Sequence, residues 1–105
     1  MDWRDIPSLP ALRAFEAAAR AESFSAAARE LNVTHAAIAQ HVHAIEAQLG
    51  TSLLNRVGKK MVLTEAGKTL ASDLSDGFGQ IIHGVRKIAD DAAVSPLKIT
   101  VTPSF

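Results

Sequence analysis

The amino-acid sequence predicts a mainly α-helical fold: short helices packed together, a small β-hairpin, and a long C-terminal helix. Three observations carry this reading. Apolar residues recur at helical spacing in successive stretches, opened at Ser8, Ser23 or Ser25, Thr34 and Thr64 by residues suited to cap a helix. Two short β-prone runs flank a Gly58-Lys59 turn. From Ala66 to Ala92 the apolar residues Ala66, Leu70, Leu74, Phe78, Ile81, Val85, Ile88 and Ala92 advance by steps of four and three, a seam suited to another helix.

The first helix opens after Pro7-Ser8 and places Leu9, Leu12, Phe15 and Ala19 on one stripe, with Arg13, Glu16 and Arg20 off it. It ends near Ala21-Glu22. A short alanine-rich helix follows from Ala26 to Leu31, where small side chains allow close approach of a neighbour, and Asn32 stops it because asparagine tolerates the left-handed conformation. Thr34 caps the next helix, whose residues Ile38, Val42, Ile45 and Leu49 form a buried stripe before Gly50 ends it. Leu53-Leu54 is an apolar pair that can tuck beneath these helices. Asn55-Arg56-Val57 and Met61-Val62-Leu63 then read as the arms of the hairpin, and Thr64-Glu65 opens the long helix. Gly77, Gly79 and Gly84 weaken that helix by up to about 1 kcal/mol each relative to alanine. Beyond a break at Ala93–Pro96, Leu97–Thr102 alternates as a strand with nothing to pair with, the expected first strand of a further domain.

Composition narrows the function classes. The 105 residues are 48% hydrophobic and 21% charged, which is globular composition. Cysteine is absent, which excludes disulfides, thiolate metal sites and a cysteine nucleophile. Five aromatics are too few for a base-stacking platform. No run is long and apolar enough to span a membrane, and Asp2, Arg4 and Asp5 do not suit a secretory signal, so the expectation is a cytoplasmic protein. Eleven Lys and Arg balance eleven Asp and Glu, yet Arg56, Lys59, Lys60 and Lys68 against Glu65 alone make residues 56–68 locally basic.

Catalytic patterns are not found. Gly67-Lys68-Thr69 resembles the tail of a phosphate-binding loop, but Val62 stands where its first glycine is required. His35, His41 and His43 share a helix without an i,i+4 pair, so they do not converge as metal ligands. The architecture itself is more informative. A short helix, a tight turn and a second helix with one buried stripe form a helix-turn-helix, whose second helix offers its free face to the DNA major groove. That face comprises His35, Ala36, Ala39, Gln40 and His43. Alanines let the helix approach base edges and pack on thymine methyls, and the Gln40 amide can pair with a base. The basic hairpin is then the wing of a winged helix. Thr34 serves as a cap or a phosphate contact, His41 flanks the buried stripe, and Lys59 and Lys60 are backbone contacts or solvated turn residues. The rival reading is a protein-interaction module that pairs through its long helix without binding DNA.

The segment FSAAARELNVTHAAIAQHVHAIEAQLGTSLLNR, followed by LTEAG, resembles the N-terminal domain of LysR-type transcriptional regulators. The likeness runs from about Leu9 to Gly67 and continues into the family's linker helix through about Ala92. The opening LPALRAFEAAARAESF and closing PLKITVTPSF resemble the subgroup containing the glycine cleavage activator and the β-lactamase regulator. Three positions depart from the family's usual choice: Ala39 for serine, His43 for lysine or arginine, and Leu53-Leu54 for Leu-Phe.

The resemblance implies a winged helix-turn-helix DNA-binding domain over 7–64, with the helix-turn-helix at 24–43 and the wing at 55–64. It implies a dimerisation helix over 65–92, and over 93–105 a hinge and the first strand of an absent effector-binding domain. The expected DNA contacts are Thr34, His35, Ala36, Ala39, Gln40, His43, Arg56, Lys59 and Lys60, with Arg56 matching the family's wing arginine. The expected dimer contacts are Leu70, Leu74, Phe78, Ile81, Val85 and Ile88. Double-stranded DNA and a second copy are the implied partners, with room for a tetramer in a longer chain. No cofactor or metal is expected in this segment, and a small-molecule co-inducer is expected for the absent domain.

Overall fold

The computed structural model describes residues 2–58 and 60–94. After a 3-10 turn at Trp3–Asp5, the elements are α1 (Leu9–Ala21), α2 (Phe24–Leu31), α3 (His35–Leu49), β1 (Leu54–Val57), β2 (Lys60–Leu63) and α4 (Glu65–Val94). This is the mainly helical winged helix-turn-helix expected from the sequence. The described chain divides into two units, the first ending at Ser75 and the second beginning at Asp76. The strand expected at 97–102 lies outside the described residues.

Each short helix begins where a side-chain oxygen takes up an orphan backbone N–H. Ser8 accepts from Ala11 N at 3.2 Å, Ser23 from Ala26 N at 3.1 Å and Thr34 from Ala37 N at 3.0 Å. The Ser23 cap starts α2 at Phe24, two residues before the alanine run that marks it in the sequence. Asn32 and Gly50 close α2 and α3 in the left-handed conformation, with φ of 57° and 66°.

Helix α1 packs on α2 and α3, and α2 packs on α3. The core between them holds Phe15, Ile38, Val42, Ile45 and Leu53, filled in by Ala14, Ala18 and Ala27. Alanines draw the backbones together, so α1 is enclosed on more than one face. Three sequence expectations change, the first being that Leu49, counted on the buried stripe of α3, is 45% exposed at the end of that helix. Leu9, counted on the buried stripe, is exposed at the first position of α1. Glu16, counted off it, is 9% exposed.

Glu16 is buried with partners. Arg20 Nε and Nη2 donate to its two carboxylate oxygens at 2.9 and 3.2 Å, and Ser75 Oγ on α4 donates to Oε2 at 2.7 Å. Arg20 also reaches Glu30 on α2, with Nη1 and Nη2 donating at 3.0 and 2.6 Å. One guanidinium thus holds two carboxylates, and the network joins α1, α2 and the first part of α4. The Arg20 hydrogen bonds hold both the Glu16 and Glu30 carboxyls below the ordinary range, against the opposing effect of burial.

The entry to α4 is fixed equally closely. Thr64 N donates to Leu53 O at 3.0 Å, Thr64 Oγ donates to Ser52 O at 2.8 Å, and the same Oγ accepts from Gly67 N at 3.0 Å. Gly67 is buried, and a Cβ there would overlap the Leu53 carbonyl oxygen. This close approach of two backbones, rather than phosphate binding, accounts for the glycine in Gly67-Lys68-Thr69. Gly79, farther along α4, has nothing within 4 Å of its would-be Cβ. Gly67→Ala should therefore destabilise the fold by about 1–3 kcal/mol, despite alanine's helix propensity. Gly79→Ala should leave stability unchanged or raise it by up to about 1 kcal/mol. Urea unfolding of the two variants checks this contrast; equal effects at both positions would contradict it.

Among the described residues no helix is long and apolar enough to cross a membrane.

Candidate nucleic-acid interface

The turn Asn32–Thr34 sets α3 against α1 and α2 through Ile38, Val42 and Ile45, all fully buried. Helical periodicity then leaves His35, Ala36, Gln40 and His43 exposed and Ala39 half-buried. Thr34 is also exposed, with its hydroxyl oxygen engaged by Ala37 N. His41 is half-buried in a different cleft, lined by Leu9, Leu31, Val33 and Ile38 together with Arg13 of α1, so it faces away from this surface.

The hairpin is antiparallel, with Leu54 opposite Leu63, Asn55 opposite Val62, Arg56 opposite Met61 and Val57 opposite Lys60. Gly58 supplies the positive φ (64°) that a two-residue hairpin turn demands. Arg56 and Lys60 are exposed. Lys59 lies outside the described residues.

Two clefts bring α3 and the hairpin together. One, of about 400 Å³, is lined by Glu22, Phe24, Ser25, His35, Arg56 and Lys60, among others. The other, of about 370 Å³, is lined by His43, Glu46, Asn55 and Arg56 together with Phe24, Val42, Leu54 and Met61. Arg56 borders both, so it stands beside each end of the exposed α3 face. Of the expected contacts, His35, Arg56 and Lys60 share one cleft and His43 and Arg56 the other, while Ala36, Ala39 and Gln40 line neither. The rings of His35 and Phe24 lie 5.4 Å apart, centroid to centroid, at 56°, which fixes the start of α2 beside the start of α3.

Glu46 was not among the expected site residues, yet it joins the helix to the hairpin. Its Oε2 accepts from Leu53 N at 2.8 Å and Leu54 N at 3.3 Å, while Oε1 lies 3.3 Å from His43 Nδ1. Its backbone carbonyl accepts from Gly50 N and Thr51 N at 2.8 and 3.2 Å. One residue of α3 therefore holds the root of β1 and touches a histidine on the exposed face. The signal available in the sequence was only a glutamate seven and eight residues before those N–H donors, a spacing with no fixed meaning outside a helix.

The expected dimer contacts divide along α4. Leu70, Leu74 and Phe78 are half-buried, whereas Ile81, Val85 and Ile88 are 59%, 63% and 72% exposed. Ile82, off the predicted stripe, is also exposed. These last four large apolar side chains lie within eight residues.

The chain is 50% identical over 105 residues to the AhcY transcriptional activator HvrB of Rhodobacter capsulatus, an alignment covering all of this chain and 36% of that protein. It is 39% identical over 100 residues to the glycine cleavage system transcriptional activator of Escherichia coli K12, covering 95% of this chain and 33% of that one. The chain thus spans about a third of the length of these relatives. Its fold is similar to that of BenM_DBD in a complex with catB site 1 DNA, with a TM-score of 0.73 at 23% identity, covering 84% of this chain and 97% of that one. Residues 9–68 match the family described as bacterial regulatory helix-turn-helix protein, lysR family, and the chain belongs to that family.

Proposed function

We propose that this chain binds double-stranded DNA sequence-specifically, as the DNA-binding part of a bacterial transcriptional regulator. The observation that carries the reading is the surface on which the free face of α3 meets the basic hairpin at Arg56 and Lys60. The width of an α-helix fits the major groove, so α3 enters it with Ala36, Ala39 and Gln40 toward base edges. Thr34, His35 and His43 meet the flanking backbone. Arg56, Lys59 and Lys60 contact phosphates or the adjoining minor groove, where fixed positive charge is most effective.

Two copies pair through α4. Its exposed Ile81, Val85 and Ile88, in register with Leu70, Leu74 and Phe78, form the stripe that a second helix covers. Pairing places two recognition helices on two half-sites, and a tetramer in the longer protein doubles that number. The remainder of such a protein carries the small-molecule co-inducer site, and the activity is binding rather than catalysis. The transcriptional-activator names of the relatives support this role, which is one performed in the bacterial cytoplasm.

Selection from a random duplex pool tests the reading. The chain should enrich a short motif repeated in two half-sites, and a variant with residues 55–60 scrambled should not. Self-association with no duplex enriched would support the protein-interaction module instead.

A further inference from the structure

Helix α3 contains no lysine or arginine from His35 to Leu49. Its only ionisable side chains are His35, His41, His43 and Glu46. A helix laid along a polyanion ordinarily brings fixed positive charge to the phosphates. On α3 only imidazole can supply it, and imidazole is the group that ordinarily gains charge between about pH 8 and pH 6. Resting on the DNA-binding reading above, we propose that His35 and His43 are proton-dependent DNA contacts, so that affinity rises as pH falls through this range.

The surroundings of the two rings support this and distinguish them. His35 is exposed at the first position of α3. It shares its cleft with Arg56 and Lys60 of the hairpin and Glu22 of the α1–α2 turn, and α2 presents the uncharged Phe24 and Ser25. A phosphate seated there meets two fixed cations, and a protonated His35 adds a third. His43 is exposed two turns farther on and faces Glu46 of its own helix, with Asn55 and Arg56 of the hairpin alongside. Protonated His43 pairs with Glu46 Oε1, while Oε2 keeps its bonds to Leu53 N and Leu54 N. The hairpin root is thus undisturbed by the proton, but Glu46 offsets part of the charge. His35 therefore carries the larger share of the effect. His41, half-buried in the cleft it shares with Leu9, Val33 and Arg13 of α1, takes no part.

A nearby phosphate favours the charged imidazole, so DNA binding and proton uptake reinforce one another. Titration of the 105-residue chain with a duplex selected from the random pool, at constant ionic strength, should show affinity about tenfold higher at pH 6 than at pH 8. His35→Gln should remove more of this gain than His43→Gln. The double variant should retain less than about a twofold gain, and His41→Gln should match the parent. A second pair, His35→Lys with His43→Lys, should bind tightly at both pH values and gain little on acidification. Binding with no pH dependence, or an undiminished gain in the His35→Gln, His43→Gln variant, overturns this inference alone. Failure of the parent to bind any duplex at either pH overturns the DNA-binding reading with it.

Discussion

Replacing Ile81 and Val85 together by aspartate should convert a dimer into a monomer and reduce affinity for a two-half-site duplex by roughly 10²–10⁴-fold. The range is what linking two binding modules ordinarily adds over one. Both side chains are mostly exposed, at 59% and 63%, on a helix whose apolar steps continue through Ile88. Each large apolar side chain covered by a partner contributes roughly 1.5–3 kcal/mol, and a carboxylate in its place must instead be desolvated. Leu74 is a poorer site for the test because it is half-buried within the first unit, where aspartate would also disturb the fold. Sedimentation should show the parent as a dimer at micromolar concentration and the double variant as a monomer with the same helical content. Affinity for a single half-site should be unchanged. A parent that stays monomeric at high concentration contradicts the pairing.

Glu16→Ala should destabilise the winged unit by about 2–3 kcal/mol. Breaking a buried ion pair by removing one partner costs about 3–5 kcal/mol when both ions are enclosed. Arg20 is half exposed and keeps Glu30, so the expected loss is smaller. The variant also leaves Ser75 Oγ without its acceptor on α1. Glu16→Gln retains an acceptor and the shape, and should cost about 1 kcal/mol. The pH dependence has a definite sign. Glu16 and Glu30 titrate below their ordinary value of 4.5 in the folded chain because Arg20 donates to both. Such carboxylates contribute their full stability above the unfolded value and lose it as pH falls through the folded one. The parent should thus lose stability progressively below about pH 4.5, and Glu16→Ala should show a shallower acid limb in chemical unfolding. Identical acid limbs would contradict the role given to the network.

Much of this fold is legible in the sequence because the devices are local. Ser8, Ser23, Thr34, Asn32 and Gly50 act within a few residues of themselves, and each stands where its chemistry placed it. The α3 face is legible for the same reason: once Ile38, Val42 and Ile45 are inside, the helical period alone sends His35, Ala36, Gln40 and His43 outward. Contacts distant in sequence are not legible in this way. The Glu16–Arg20 spacing of four is visible as an ion pair, but its burial depends on how α1 packs against α2 and α3. Ser75 reaches Glu16 across 59 residues, and no local pattern announces that bond. Gly67 stands in the sequence only as part of a failed phosphate-loop match, and its packing role appears once the Leu53 carbonyl is found against it. Glu46 is visible in the sequence only as a polar residue of α3, and its hold on the hairpin appears when Leu53 N and Leu54 N fold back onto that helix.

The central claim is that the α3 face reads bases while the hairpin grips the backbone. Titrating Gln40→Ala and Arg56→Ala against a panel of single-base-pair variants of the selected duplex, at several salt concentrations, tests it most directly. The Gln40 amide both donates and accepts, which suits an adenine edge, so its loss should relax preference at one base pair of each half-site by about 1–3 kcal/mol and leave the salt slope nearly unchanged. Arg56→Ala should weaken every duplex alike and flatten the salt slope by about one. Uniform weakening by Gln40→Ala, or an intact salt slope in Arg56→Ala, would contradict the account.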